Sequence, residues 1–245
     1  MKTTECPASH RIVSREEWTT ARQKFLAKEK EFTRLRDQLS RERRELPWVK
    51  VDRAYTFEST DGKRSLADLF EGRGQLVVYH FMFGPGWEEG CRGCSYVADH
   101  FDGCLPHLHA RDVSLAVVSR APLAELLPFK RRMGWKFPWV SSAGNDFNRD
   151  HHVSWTADEL AEGKVYYNYA FRETPMEEMP GLSVFARGAD GAIYHTYSTY
   201  SRGLDILLGT YNLIDLTPKG RDEAGFEMPM EWLRYHDRYE TASAK

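Results

Sequence analysis

The sequence predicts an α/β fold, a three-layer α/β/α sandwich built around a mixed central sheet, and three observations carry that prediction. Gln75 to Phe83, QLVVYHFMF, is a continuous apolar run held between Gly72 and Gly74 on one side and Gly84-Pro85-Gly86 on the other, the pattern of a central strand covered on both faces. Around it the segments alternate in the order β-α-β-α-β-β-α, with an antiparallel hairpin near the end. A Cys91-Arg92-Gly93-Cys94 unit follows the apolar run after a loop and opens a predicted helix.

The elements follow in chain order. Ser14 and Glu17 form a capping box, beyond which Trp18, Phe25, Phe32 and Leu39 recur every seven residues until Pro47 stops the pattern, so one long amphipathic helix is expected. Ala21, Lys28 and Leu35 fill the second seam; the stripe suits docking on its own domain, which is preferred, or a homodimer through this N-terminal helix. A short strand, an Asp61-Gly62 turn and a brief helix over Leu66 to Phe70 come next. Val113 to Val118 reads as a strand, and Pro122 opens a helix that Gly134 closes. Ser183 to Phe185 and Ala192 to Tyr197 flank Asp190-Gly191 as a hairpin, and Leu204 to Leu216 reads as a closing helix. Residues 151–179 show no clear period and are read as an insertion or lid. Trp232, Tyr235 and Tyr239 give the tail a docking stripe at helical spacing. The divisions are 1–50 for the helical extension, 51–216 for the α/β domain and 217–245 for the tail.

Composition narrows the function. A formal net charge of −2 provides no field for holding a phosphate backbone, so no nucleic acid is expected, although residues 11–50 hold 12 basic and 7 acidic side chains, read as a solvated face. Met1 to His10 is polar, and no run of about eighteen apolar residues occurs. No membrane association and a cytoplasmic location are therefore expected. The four cysteines are too few for a stapled secreted scaffold, and two share one Cys-x-x-Cys, which in a reducing compartment means redox or metal chemistry.

The stretches SREEW, FGPGWEEGCRGCS, ADHFDG, VVSRAPLAEL, MGWKFPWVSS, PGLSVFARG, HTYSTYSRGLD and GTYNLIDLTPKGRDE together resemble the bacterial thioredoxin-like family known as domain of unknown function 899, within the thioredoxin superfamily. The likeness covers most of the chain. It implies a thioredoxin-like fold and dithiol chemistry, with no assigned role. It also implies that Pro180, at the Met179-Pro180-Gly181 step, is a cis-proline facing the dithiol with a free backbone edge for an extended substrate. His80 stands where the family pattern has a buried acid that handles a proton.

At a helix N-terminus the first sulfur of such a pair meets unsatisfied backbone N–H groups, which favour its thiolate. Cys91 is thus the candidate nucleophile, with a pKa between about 5 and 8, and Cys94 the resolving thiol. Arg92 assists the thiolate while Glu88 and Glu89 oppose it. His80 is a candidate general base for Cys94, although a satisfied core histidine is the plainer reading. Trp87, Arg92 and Gly181 are the substrate-binding candidates. Metal binding by Cys91 and Cys94 with His100, His107 or His109 is weighed and set aside because Pro106 breaks their alignment; no cofactor is expected. Cys104 is read as structural, and His151-His152 as a polar loop.

The leading expectation is a thiol–disulfide oxidoreductase that takes electrons from a cytoplasmic reductant and passes them to a thiol or disulfide partner of small size. A peroxiredoxin-like peroxidase is the runner-up, suggested by Gly84-Pro85 and weakened by Glu89 in the place of the expected threonine. A binding or metal-carrier protein without turnover, using Trp155 to Phe171 as its recognition surface, is the alternative of a different class.

Overall fold

The computed structural model describes residues 10–174 and 176–240. Cys6, most of the polar N-terminus and the last five residues of the tail lie outside the described residues. Those described fall into two compact units, 10–47 with 212–222 and 48–211 with 223–240.

The first unit is dominated by α1 (Arg15–Arg44), which begins at the expected capping box: Ser14 Oγ accepts from the Glu17 amide while the Glu17 carboxylate accepts from the Ser14 amide. None of its residues is buried, and the seven-residue stripe faces solvent.

The second unit holds β1 (Val49–Lys50), β2 (Thr56–Ser59), β3 (Gly62–Ser65), β4 (Gln75–His80), α2 (Arg92–Ala98), α3 (Leu105–His109), β5 (Val113–Ser119), α4 (Leu123–Arg132), β6 (Trp139–Ser141), α5 (Phe147–Asp150), α6 (Ala157–Ala161), β7 (Val165–Tyr167), β8 (Ala170–Arg172), β9 (Gly181–Arg187) and β10 (Ile193–Tyr200), followed by a 3-10 turn over Ser201–Leu207 and the start of α7 (Gly209–Ile214). The eight-stranded sheet has the order β1-β10-β9-β4-β5-β6-β2-β3. β5 runs parallel to β4 and to β6, whereas β9 runs antiparallel to β4. This is the mixed sheet that the sequence predicts, and it is thioredoxin-like: the dithiol helix α2 follows the central strand, and the β9–β10 hairpin completes the sheet.

Strand alternation divides the core. Leu76 and Val78 of β4 join Phe57, Phe70, Phe147 and Phe185 in one layer, while Tyr79 turns to the other side and meets Phe101. Beyond β4, Phe81 packs on Phe129 of α4 and on Trp135 and Trp139. β4 ends at His80, three residues before the apolar run does, because the chain leaves the ladder there to reach the dithiol; Phe81, Met82 and Phe83 remain buried.

Several local expectations hold for stated reasons. Gly191 turns the hairpin at φ +81° and Gly134 stops α4 at φ +68°, conformations that favour glycine. The closing helix is interrupted at Leu208, just before Gly209, where an added Cβ would lie 2.9 Å from the His100 ring. The insertion is structured after all. Thr156 and Glu159 cap α6 with a second capping box, and Asn168-Tyr169, both at positive φ, turn the β7–β8 hairpin. The described tail is made of turns and bends rather than an α-helix, with a 3-10 turn at His236–Arg238. No helix among the described residues is long and apolar enough to cross a membrane.

Candidate active site at the dithiol

Cys91 is the N-cap of α2. Its amide donates to the Met82 carbonyl at 3.0 Å, and the Met82 amide donates to Cys94 Sγ at 3.4 Å. The buried segment after β4 thus holds both cysteines. Neither is disulfide-bonded; Cys91 is half-buried and Cys94 buried. A hydrogen bond from Cys94 is the largest influence on Cys91 and, with the Cys94 and Gly93 amides and the Arg92 charge, outweighs burial to bring its pKa down to about 7, within the expected range. Burial and the neighbouring Cys91 push Cys94 well above the ordinary thiol value. The two sulfurs therefore differ as an attacking and a resolving thiol should.

Of the two opposing charges expected upstream, that of Glu89 is paired. Glu89 pairs with Arg132 and with Arg238, the latter at 2.5 Å, and Arg132 in turn holds Asp237 at 2.8 Å. This network anchors the tail. Arg132 and Arg238 both lie over the Tyr235 ring, 4.9 and 5.2 Å from its centroid. Arg92 Nη1 donates to the Leu233 carbonyl at 3.3 Å. A Cβ added at Gly93 would sit 3.8 Å from both Cys91 Sγ and Met230 Cε, so the tail passes close to the dithiol.

His80 does not reach the dithiol, which corrects its proposed role as base. It points to the opposite face of β4, buried, sharing a 2.8 Å hydrogen bond with Ser183 Oγ and packing against Phe147 and His151. Ser183 continues to Ser198 at 2.8 Å, and Ser198 to His195 at 2.7 Å. Burial drives the His80 pKa well below the usual histidine range and brings His151 down to about 3. His151, read from sequence as part of a polar loop, is therefore a core residue. The polar group beside Cys94 is Tyr79, whose hydroxyl is hydrogen-bonded to it and whose own pKa burial raises far above the ordinary phenol value. The signal was available in the sequence, since adjacent strand residues face opposite layers.

The proline step also differs from expectation. No cis peptide occurs among the described residues, so the Met179–Pro180 bond is trans, and its edge is occupied by the insertion. The Met179 amide donates to Val153 O at 2.9 Å, Ser154 bridges Glu178, and Tyr167 Oη donates to Pro180 O at 2.7 Å. Gly181 is no contact surface either. A Cβ there would meet Tyr200 at 2.8 Å and Val153 at 2.9 Å, so the glycine exists to let those side chains close over the strand. Trp87 lies over Gly84, where an added Cβ would sit 2.9 Å from its Nε1, and that Nε1 donates to Glu177 of the insertion at 3.0 Å. Glu178 is buried against Arg120 at 2.5 Å, and burial pushes its pKa up to about 7 despite that partner.

Among the described residues no three histidine, cysteine or acidic side chains converge as metal ligands would. Both nitrogens of His100 are used, Nδ1 on Tyr96 O at 2.8 Å and Nε2 on the Thr210 hydroxyl and amide at 2.9 and 3.1 Å. Cys104 donates to Phe101 O at 3.1 Å.

A family model described as "Bacterial protein of unknown function (DUF899)" matches residues 7–239. No curated protein matches. Solved structures that resemble the chain include the peroxidoxin BcpB of Mycobacterium tuberculosis, 16% identical over 69% of this chain and 97% of that one with a TM-score of 0.46. A PrxQ variant of Xylella fastidiosa is 13% identical over 68% and 94%, with a TM-score of 0.44. The solution structure of a putative protein disulfide isomerase from Bacteroides thetaiotaomicron is 18% identical over 68% and 91%, with a TM-score of 0.36.

Proposed function

The chain belongs to the DUF899 family of bacterial proteins, whose description assigns no activity, and we propose from its dithiol that it is a thiol–disulfide oxidoreductase acting on small acceptors. The observation that carries the reading is the placement of the two thiols: Cys91 is the half-buried N-cap of α2, Cys94 is buried one turn on, and the Met82 main chain holds both.

In the reaction, the Cys91 thiolate attacks one sulfur of a disulfide, forming a mixed disulfide and expelling the other half as a thiolate. Cys94 then attacks Cys91 Sγ, its proton passing to the leaving thiolate. With the proton that Cys91 had lost to solvent returned to the first leaving thiolate, the acceptor ends as two thiols, and the protein as the Cys91–Cys94 disulfide, having given up two electrons. Tyr79 holds Cys94 Sγ and stabilises its charge as the proton departs. A reductant of the cytoplasmic thiol class returns the pair to the dithiol. The tail beside Cys91 and the insertion along the Pro180 edge favour a compact acceptor over an extended peptide.

The same covering favours hydroperoxides as a second reading. There, Cys91 would become a sulfenic acid as the peroxide bond breaks, and Cys94 would displace water to close the same disulfide.

The test is a redox titration of the purified chain in glutathione buffers, with free thiols trapped by alkylation and the Cys91–Cys94 peptide weighed. A two-electron couple between roughly −320 and −180 mV is expected; thiols that stay free throughout overturn the proposal. Faster oxidation by hydrogen peroxide than by oxidised glutathione would select the peroxidase reading.

A further inference from the structure

Among the described residues, exposed large apolar side chains concentrate on α1. Trp18, Phe25, Phe32 and Leu39 are 51%, 58%, 64% and 49% exposed, and Leu35 beside them 51%. At 1.5 Å per residue this helix runs for about 45 Å, and a stripe of aromatic side chains at heptad spacing along it calls for a partner.

The flanking charges say which partner. Taking the stripe as position a, the g positions are Glu17, Lys24, Glu31 and Gln38, and the e positions Arg22, Glu29, Arg36 and Arg43. In a parallel, in-register pair each g residue faces the e residue five places on in the other helix. That sets Glu17 against Arg22, Lys24 against Glu29 and Glu31 against Arg36, opposite in sign at all three levels, with the neutral Gln38 against Arg43. An antiparallel arrangement matches g with g and e with e. Its best register keeps the Lys24–Glu31 and Arg22–Glu29 attractions but sets Arg15 against Arg36. Within one helix Arg22 already reaches Glu29 at 2.6 Å, yet its Nη1 has no hydrogen-bond partner. Lys28 occupies a d position, where two long stems can carry their charges out to water only from a two-stranded assembly.

We infer that α1 pairs with α1 of a second copy of this chain as a parallel two-stranded coiled coil, with Trp18, Phe25, Phe32 and Leu39 as its seam.

The test is light scattering of the full-length protein after size exclusion at tens of micromolar. Twice the 28.4 kDa chain mass is expected, and a monomer overturns the inference. Phe25→Glu with Phe32→Glu, both at exposed positions, should give a monomer that retains the parent's dithiol titration; a dimer that survives overturns α1 as the interface. Lys24→Glu should weaken dimerisation at least about tenfold, and adding Glu29→Lys should restore it; no rescue overturns the charge pairing. Ala21→Cys, on the seam, should form an interchain disulfide under oxidised glutathione, whereas Gln23→Cys, on the far face, should not. A dimer without the Ala21→Cys cross-link overturns the parallel register.

Discussion

Tyr235 donates its hydroxyl proton to the carbonyl of Gly90, the residue before Cys91, at 2.7 Å. Its ring also packs 5.6 Å from Phe129, near edge-on, so a single tail residue ties the C-terminal segment to the approach of the nucleophile. Tyr235→Ala removes both contacts. The iodoacetamide rate of Cys91 at pH 7 should rise about tenfold as local opening becomes easier, and an unchanged rate would show that the tail does not limit access.

The low Cys91 pKa depends first on the hydrogen bond from Cys94. Cys94→Ala should move the midpoint of Cys91 alkylation from about 7 toward the ordinary thiol value of about 8.5. Cys94→Ser, which keeps a donor, should stay nearer the parent. Equal shifts in the two variants would show that the helix terminus and Arg92 do more of the work than the partner thiol.

Tyr79→Phe deletes the hydroxyl on Cys94 and leaves the ring packing in place. Attack by Cys91 should keep its rate, whereas resolution should slow by up to about tenfold, the worth of one hydrogen bond. Mass spectrometry of the quenched reaction should then find the Cys91 mixed disulfide accumulating. His80→Gln should leave both steps unchanged; a slowed resolution in that variant would return His80 to the mechanism.

Acid should loosen the fold through the buried histidines. His151 is held neutral by burial, with a pKa near 3 against about 6.5 when unfolded. The unfolded chain therefore binds more protons below pH 6.5, and stability is lost as pH falls from there toward 3. At pH 5 this amounts to about 2 kcal/mol for His151, with His80 adding in the same direction. Glu178 works oppositely. Its raised pKa, about 7, makes a contribution that is full below about 4.5 and lost as pH rises through 7. Thermal unfolding between pH 5 and 8 should show the acid decline flattened by His151→Gln and the alkaline decline flattened by Glu178→Gln.

Much of this was legible where a local rule acts alone. The Ser14–Glu17 box, the Gly134 stop, the Gly191 turn and the dithiol at the start of α2 are decided within a few residues, and each stands where the sequence places it. What required distant parts of the chain was hidden. β6 is three residues long and follows Pro138, too short for a period to register, and it exists because β5 and β2 supply its partners. The Pro180 edge is closed by Val153 and Tyr167, which no pattern around the proline announces. His80 was misplaced by aligning positions instead of counting strand faces, a count that points to Tyr79. The tail stripe docks, but the Arg132 and Glu89 partners of its neighbours Asp237 and Arg238 lie about a hundred residues or more away, and no local spacing announces them.

Met82 touches both members of the dithiol through its main chain, accepting from Cys91 and donating to Cys94. Whatever changes the sulfur of Cys94, whether proton loss or a new bond to Cys91, alters the acceptor of one identifiable amide. That N–H is buried and carries no chemistry of its own, so its nuclear resonance provides a label-free gauge of the oxidation state, one that needs neither a substrate nor a reductant to be read.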